Sequence, residues 1–369
     1  MSSLAAAEET PPYPAGKVSP PVRYRVPLMV SAAFGLAAVA LTWIGLTHAL
    51  TFTTEDLALS QTLHGIALFG TGIAVLLLIF PLRGLFQMRE ADAYVAAGQL
   101  VAARQPAWIC RQMSMSGIGY ASTLLVVVAA YVFLTTNNFA VQRAFLDPGY
   151  MAESFWMVLA AAKLNLFITL AASVIILVLS LALALLRMVP GPAGRPIRWM
   201  VIAYVDFFRA IPTIIVIYLV GFGLPLTKIG FVSGWDGMWY AVLALSLSFS
   251  AYVTELFRSA IDSIHPSQLS AARSLGLSAP QAYAYVVIPQ AFKRVIPPLL
   301  GFFVALQKDT ALVLILGIMD IFGQAKYFAA NFFNLSPVSV VGLFFFVITI
   351  PQTRLVDYLI DRQKQKGAR

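Results

Sequence analysis

Eight apolar runs, each close to the length of a membrane-spanning helix, restrict the folds available to this chain. A span needs about 20 consecutive apolar residues, and its backbone polar groups must be paired inside the hydrocarbon. With 60% hydrophobic and 11% charged residues, the chain is too apolar for a water-soluble domain. The sequence therefore predicts an all-α membrane protein with about eight spans, at residues 27–50, 63–80, 117–136, 164–186, 199–223, 238–261, 296–318 and 337–356.

The basic residues assign an orientation to these spans. If the amino terminus is cytoplasmic, most of the 25 Lys and Arg residues fall in segments on the cytoplasmic side. Cytoplasmic loops are enriched in Lys and Arg, so this arrangement predicts both termini in the cytoplasm. It also accounts for the net charge of +9 without nucleic-acid binding. The opposite side holds only Arg143, Lys163, Lys228 and Lys326.

Composition changes along the chain. Residues 1–26 are rich in Ala and Pro, which predicts a disordered cytoplasmic tail. The first three spans contain almost no polar residues beyond Ser, Thr and His, whereas the last five contain several charged ones. We therefore divide the rest into an accessory module at 27–150 and a functional core at 151–369. No metal site is expected, because the three histidines lack metal-ligand spacing.

A long cytoplasmic segment, residues 262–298, lies between two spans of the core. The pattern predicts helices at 267–275 and 279–287, with Gly276 as the C-cap of the first and Ser278 as the N-cap of the second. The block ends at Pro289. A short helix presented at the cytoplasmic face suits docking to a partner protein.

Seven residues of this segment follow a fixed spacing: Ser270, Ala271, Ala272, Gly276, Val286, Ile288 and Pro289. Their pattern resembles the EAA loop of permeases in ATP-binding-cassette (ABC) importers, Glu-Ala-Ala, three residues, Gly, nine residues, Ile, one residue, Leu, Pro. Ser270 replaces the glutamate of that pattern. In the family the loop inserts into a groove on the ATPase subunit, so the resemblance implies that these residues couple the chain to an ATPase.

Further motifs resemble the polar amino-acid uptake permeases. They are Phe-Arg-Ala-Ile-Pro at 208–212 followed by Gly-Phe-Gly-Leu-Pro at 221–225, Ala-Tyr-x-x-Glu-x-x-Arg at 251–258, and Lys-Asp-Thr at 308–310. Ala210 and Ile211 depart from the Gly and Thr of the family. The resemblance covers about residues 165–362. It implies a five-helix permease core, preceded by three extra helices, that moves polar amino acids into the cytoplasm by alternating access.

The resemblance also implies a location and partners. The location is the bacterial inner (cytoplasmic) membrane, and the partners are ATPase subunits, a second permease subunit (identical or homologous) and a periplasmic or extracellular substrate-binding protein. The chain has no Gly-x-x-x-x-Gly-Lys-Ser/Thr phosphate-binding loop. ATP and Mg²⁺ are therefore expected to be used by the partner ATPase, with no cofactor and no catalytic residue in this chain.

Charged residues inside spans are functional hypotheses, because each costs at least about 2.5–3.5 kcal/mol there. Asp206 and Arg209 are three residues apart and can pair, whereas the adjacent Lys308 and Asp309 need separate partners. A structural role is the alternative for each. The candidate pathway or gating set is Asn165, Thr169, Asp206, Arg209, Tyr252, Glu255, Gln307, Lys308 and Asp309.

An ion-coupled secondary transporter or channel for small polar solutes is the alternative function. It predicts an internal repeat or facing discontinuous helices, and no clear repeat is present in the sequence. A membrane-embedded enzyme would need His-Glu-x-x-His or paired acids in the spans, and neither is present.

Overall fold

A computed structural model describes residues 21–50 and 57–367, and every regular element in that part of the chain is helical, which confirms the predicted all-α class. A π-helical turn at Tyr283–Val287 precedes α11, and a 3-10 helix at Thr310–Leu316 follows it. The α-helices are α1 (Arg25–Leu50), α2 (Leu57–Leu77), α3 (Ile79–Ala96), α4 (Arg104–Phe145), α5 (Pro148–Arg187), α6 (Arg195–Ala210), α7 (Thr213–Leu226), α8 (Gly237–Asp262), α9 (Pro266–Ser274), α10 (Ala279–Ala282), α11 (Ile288–Asp309), α12 (Ile321–Phe332) and α13 (Ser336–Gly367).

Six helical segments of the described chain are long and apolar enough to cross a membrane, and the bent pair α6–α7 adds a seventh. One of the six, Arg104–Arg187, has 84 residues. At about 1.5 Å per residue it would be about 126 Å long, far more than a hydrocarbon core of about 30 Å. It contains two helices, α4 and α5, divided where Asp147 caps α5 from an extended backbone conformation. Counted separately, these helices bring the number of spans to about eight.

The chain divides into two compact units, Met1–Gln142 and Arg143–Arg369. In the first unit, buried Ala38, Ala74 and Ala121 form one apolar cluster. The Tyr24 hydroxyl donates to the Asp92 carboxylate at 2.6 Å, which ties the start of α1 to α3. Of the predicted tail, residues 1–20 lie outside the described part, and α1 begins at Arg25.

Two predicted spans of this unit have different bounds in the structure. The second does not end at residue 80, because the helix continues through a turn at Leu78 into α3 and reaches Ala96. The helix of the third begins earlier than predicted, at Arg104, and its regular part ends where predicted. The backbone of α4 leaves the helical region at Thr136, and the next residues, Asn137, Asn138 and Phe139, have positive φ angles of 53°, 52° and 61°.

The second unit is built around α8, the most buried of its spans. Small residues line the faces of α8, among them Ala241, Ala244 and Ala251, and the apolar core around them includes residues of α5, α7 and α11. Small side chains let helix backbones approach closely in a membrane protein. The close packing fixes α8 between its neighbours, and the carboxyl-terminal end of α8 leads directly to α9.

The prediction of one continuous helix at 199–223 is wrong. It is divided into α6 and α7, which meet at a bend of 105°. Pro212 has no backbone N–H, and the helical region is disfavoured for the residue before a proline. Accordingly, Ile211 is extended, with φ −96° and ψ 130°. The chain therefore changes direction within this segment.

The second predicted helix of the long segment, at 279–287, does not end before Pro289. α10, the π-helical turn and α11 follow one another without a break, and Pro289 lies in the first turn of α11. The helix of the predicted span at 296–318 accordingly begins earlier, at Ile288. Its last turns are the 3-10 helix, which is followed by Gly317 with φ +75°.

Candidate functional site

Helices α9 and α10 form a corner, and hydrogen bonds at the helix ends hold its shape. The His265 ring accepts a hydrogen bond from the Ser267 backbone N–H at 3.2 Å, and Pro266 occupies the first turn of α9. The backbone N–H of Leu277 donates to the Ala272 carbonyl at 3.3 Å across the end of the helix. This closure requires the left-handed backbone of Gly276, whose φ is +88°. At the start of α10 the Ser278 N–H donates to Gln281 Oε1 at 2.9 Å.

The corner has a buried side and an exposed side. Ala272, Ala282 and Val287 are buried against the rest of the unit. On the exposed side, the Leu275 side chain at the tip is 85% exposed, although it is apolar. Ser270 and Ala271 are exposed as well, and the Ser270 hydroxyl donates to the Pro266 carbonyl of its own helix. Val286 and Ile288 are half-buried and Pro289 is exposed.

Glu255 is held by two arginines near the carboxyl-terminal end of α8. Arg187, the last residue of α5, donates to Glu255 Oε1. Arg258 Nε donates to Glu255 Oε2 at 2.9 Å, and Arg258 Nη1 donates to Asp262 Oδ2 at 2.8 Å. The Glu255–Arg258 contact has the i,i+3 spacing of an intrahelical pair, whereas Arg187 is a partner that sequence spacing did not indicate.

Arg209 and Tyr252 meet beside the α6–α7 bend. The Arg209 guanidinium carbon lies 5.8 Å from the centre of the Tyr252 ring, within the range of a cation–π contact. Tyr252 also donates to the Arg209 carbonyl at 3.4 Å. The predicted Asp206–Arg209 pair is wrong. In the described part of the chain, Asp206 is exposed and forms no salt bridge, because the guanidinium lies over the tyrosine.

Asn165 lies in a buried polar network that joins α5 to the start of α12. Its side-chain amide donates to Asp320 Oδ2 at 2.9 Å and to Thr310 Oγ1 at 3.0 Å, and its carbonyl accepts from the Ile321 N–H at 2.9 Å. Asp320 also caps α12 by accepting from Gly323 N–H at 2.8 Å. Thr169 is fully buried and donates to the Asn165 backbone carbonyl.

Asp320 lies between the spanning segments and is fully buried. Burial raises the pKa of its carboxyl group, and the hydrogen bonds from Asn165 and Gly323 oppose that rise. The sequence prediction missed Asp320. The available signal was an aspartate immediately before an apolar helical run, which is an N-cap pattern.

Gln307, Lys308 and Asp309 end α11. Gln307 Oε1 is buried and has no hydrogen-bond partner in the described part of the chain. Lys308 is exposed and Asp309 is half-buried, and neither forms a salt bridge with another described residue. Within residues 21–50 and 57–367, no group of three His, Cys, Asp or Glu side chains is arranged to hold a metal ion.

The predicted pathway residues therefore lie in different surroundings. Asn165 and Thr169 have buried polar partners, Glu255 belongs to an ion network, and Arg209 contacts Tyr252. Among the charged residues of this set, those that form no salt bridge within the described part of the chain are Asp206, Arg209, Lys308 and Asp309.

The chain is similar in sequence to known membrane transport proteins. The family described as "binding-protein-dependent transport system inner membrane component" matches residues 189–365. A probable amino-acid permease protein of Bacillus subtilis (strain 168), YxeN, is 32% identical over 225 residues, which are 61% of this chain and 98% of the relative. A probable glutamine ABC transporter permease protein of the same organism, GlnM, is 35% identical over 199 residues, 53% of this chain and 89% of the relative.

A solved structure is similar as well. The crystal structure of an amino acid ABC transporter with histidines contains a chain that is 28% identical, with a TM-score of 0.54. The match covers 99% of that chain and 59% of this one, so the rest of the present chain lies outside the alignment.

Proposed function

The chain belongs to the permease subunits of amino-acid ABC importers, and from this membership we propose that it forms the membrane path by which polar amino acids enter the cytoplasm. Separate ATPase subunits hydrolyse ATP with Mg²⁺ and dock on the α9–α10 corner. The proposed substrate class rests on the names of the relatives, one of which is a glutamine permease.

The observation that carries the proposal is the exposed apolar tip of this corner. Leu275 stands 85% exposed between two capped helices, in a segment with the spacing of a coupling loop. An exposed leucine gains about 1.5–3 kcal/mol when it is buried in a partner. The caps hold the tip in one conformation, so little ordering is needed on binding. A groove on an ATPase is the proposed occupant.

Coupling follows from the connection of this corner to the spans. α9 follows α8 after three residues, Ser263, Ile264 and His265, and α10 continues through the π-helical turn into α11. ATP-driven closure of the ATPase subunits displaces the corner and thereby α8 and α11. The path then alternates between inward-open and outward-open states. Each ligand shifts that equilibrium only by the difference between its affinities for the two states.

The groups without a salt bridge are the proposed pathway or gating residues. Asp206 and Lys308 are exposed, and a charge within a span is stable only with a partner or in a water-filled cavity. A polar amino acid carries both an ammonium and a carboxylate group, so residues of both signs suit it. Gln307 adds an unpaired buried carbonyl, and Arg209 with Tyr252 borders the α6–α7 bend.

The assembly in this proposal contains a second permease subunit, identical or homologous, and an external substrate-binding protein. Both termini are cytoplasmic, in agreement with the distribution of Lys and Arg. This orientation places Arg187, Arg258 and the α9–α10 corner on the same side as the ATPase.

The test is purification of the full chain from its native membrane in mild detergent, with mass spectrometry of the proteins that accompany it. We expect an ATPase with a phosphate-binding loop, and we expect Leu275→Asp to release it. Leu226→Asp is the matched control. Leu226 is also an exposed leucine, but it is the last residue of α7 and lies outside the α9–α10 corner. Purification of the wild-type chain without any ATPase would count against the proposal.

A further inference from the structure

A continuous set of polar contacts joins the cytoplasmic ends of three helices. From α5 to α8 the charged groups alternate in sign: Arg187 contacts Glu255, Glu255 contacts Arg258, and Arg258 contacts Asp262. The last two contacts have N–O distances of 2.9 and 2.8 Å. These four residues carry no net charge together, so each charge is compensated within the set.

The contacts continue from α8 to α11. Arg294 Nη1 donates to the Ser263 backbone carbonyl at 2.7 Å and to the Ser263 hydroxyl at 2.9 Å. Ser263 is the C-cap of α8, next to Asp262, and α9 begins three residues later at Pro266. The set therefore ends at the residue from which the proposed coupling helix departs.

Burial distinguishes the Arg187–Glu255 contact from an ordinary surface ion pair. The side chains of Arg187 and Glu255 are 22% and 18% exposed, whereas those of Arg354 and Asp357, paired at 3.9 Å on α13, are 81% and 56% exposed. Exposed pairs contribute little because water screens them. Removing one partner of a partly buried pair leaves a charge without compensation, which is far more disruptive.

The apolar packing beside these contacts constrains the register of the helix ends less sharply than directional hydrogen bonds do. α5 and α8 meet through small residues such as Ala184 and Ala260, and hydrophobic attraction has no preferred direction. Hydrogen bonds from a guanidinium group are directional and strong when the acceptor is charged. The arginine contacts therefore set the register of the three helix ends.

We propose that Arg187 and Arg294 are positioning residues that join α5 and α11 to the end of α8, so that a displacement of α9 moves all three helix ends together. We call the set Arg187, Glu255, Arg258, Asp262, Ser263 and Arg294 the end clamp. This inference rests on the proposed function, because the displacement comes from a docked ATPase.

The experiment measures one distance across the end clamp. The full chain is purified with its accompanying ATPase and placed in lipid nanodiscs, with Cys110, its single cysteine, replaced by alanine. Spin labels are attached at Leu186→Cys on α5 and Phe292→Cys on α11, both exposed residues outside the clamp. Pulsed electron paramagnetic resonance gives the label–label distance without nucleotide and with ATP and vanadate. Dilution with unlabelled chain removes distances between two permease subunits.

In the unsubstituted clamp, the distance is expected to stay the same in the two states within about 1 Å. In Arg187→Gln or Glu255→Gln it is expected to change by about 2 Å or more on trapping, the scale of ordinary helix shifts. Arg187→Lys, which keeps the positive charge, is expected to restore the constant distance in part. Asp357→Asn removes the exposed pair on α13 and is the matched control, expected to behave as the parent.

Arg294→Gln provides a second variant that leaves no buried charge, because its guanidinium group is exposed. It tests the clamp even if the Glu255 variants do not fold. A constant distance in Arg187→Gln and in Arg294→Gln, with the ATPase bound, overturns the clamp and leaves the proposed function intact. Absence of an ATPase from the purified sample overturns the proposed function, and the inference with it.

Discussion

Replacement of Gly276 by alanine is the sharpest local test of the docking corner. Gly276 has φ +88°, and a Cβ atom added there meets nothing within 4 Å. The substitution therefore causes no clash, and its whole effect comes from the backbone. A left-handed conformation costs a residue other than glycine about 1–2 kcal/mol.

This cost converts directly into a predicted loss of affinity. If the strained turn relaxes, the α9–α10 corner leaves its docking conformation, and the apparent affinity falls in proportion to the fraction that remains competent. A change of 1–2 kcal/mol corresponds to about a 5- to 30-fold weaker binding of the ATPase. The assay is titration of nanodisc-embedded chain with the ATPase that accompanies it.

Two further variants separate backbone strain at the corner from strain elsewhere. Gly98 also has positive φ, +75°, with nothing within 4 Å of an added Cβ, and it lies in the loop between α3 and α4. Gly98→Ala is therefore expected to leave ATPase binding unchanged. Gly276→Asn is expected to bind more tightly than Gly276→Ala, because asparagine adopts the left-handed conformation more readily. Wild-type affinity in Gly276→Ala would refute the reasoning, as would an equal loss in Gly98→Ala.

Three other predictions concern stability and domain structure. Asn165→Ala should lower the free energy of unfolding by about 1–3 kcal/mol, because the buried Asp320 Oδ2 and the Ile321 N–H lose the hydrogen bonds that Asn165 makes with them. Thermal unfolding in detergent measures the loss, with Thr353→Ala as an exposed control. Burial raises the pKa of the Asp320 carboxyl group, so the stability that its protonation contributes is complete below the unfolded pKa of about 3.9 and is lost as pH rises through the folded pKa. The melting temperature of Asp320→Asn should therefore fall less with rising pH than that of the wild type. Equal slopes for the two proteins would contradict this. The fragment 143–369 should fold and bind the ATPase without the first unit, and loss of all binding on truncation would contradict the division into two units.

Local patterns in the sequence predicted much of the fold. Spans follow from hydrophobic length, and the turn at Gly276 follows from the conformational freedom of glycine. The direction of the bend at Ile211–Pro212 did not follow, because a proline shows that a helix is interrupted but not by what angle the chain turns. The 105° bend depends on packing against α8 and the 3-10 helix, which is a tertiary property.

Partners far apart in the sequence were the other limit. Asn165 was predicted as a pathway residue, but its contacts are with Thr310 and Asp320, 145 and 155 residues away. Asp206 and Arg209 satisfy the spacing for an intrahelical pair, yet the Arg209 guanidinium lies over Tyr252, which comes from another helix. Arg187 was missed for the same reason, since its partner Glu255 is 68 residues away.

Uptake of amino acids is the most direct test of the central claim. Cells that contain the chain, and cells from which its gene has been deleted, are supplied with a panel of radiolabelled polar amino acids, with glutamine among them. We expect at least one amino acid to accumulate only when the chain is present, and we expect accumulation to stop when ATP is depleted while the ion gradients are maintained. Accumulation that follows the ion gradients and persists without ATP would contradict the account and favour a secondary transporter.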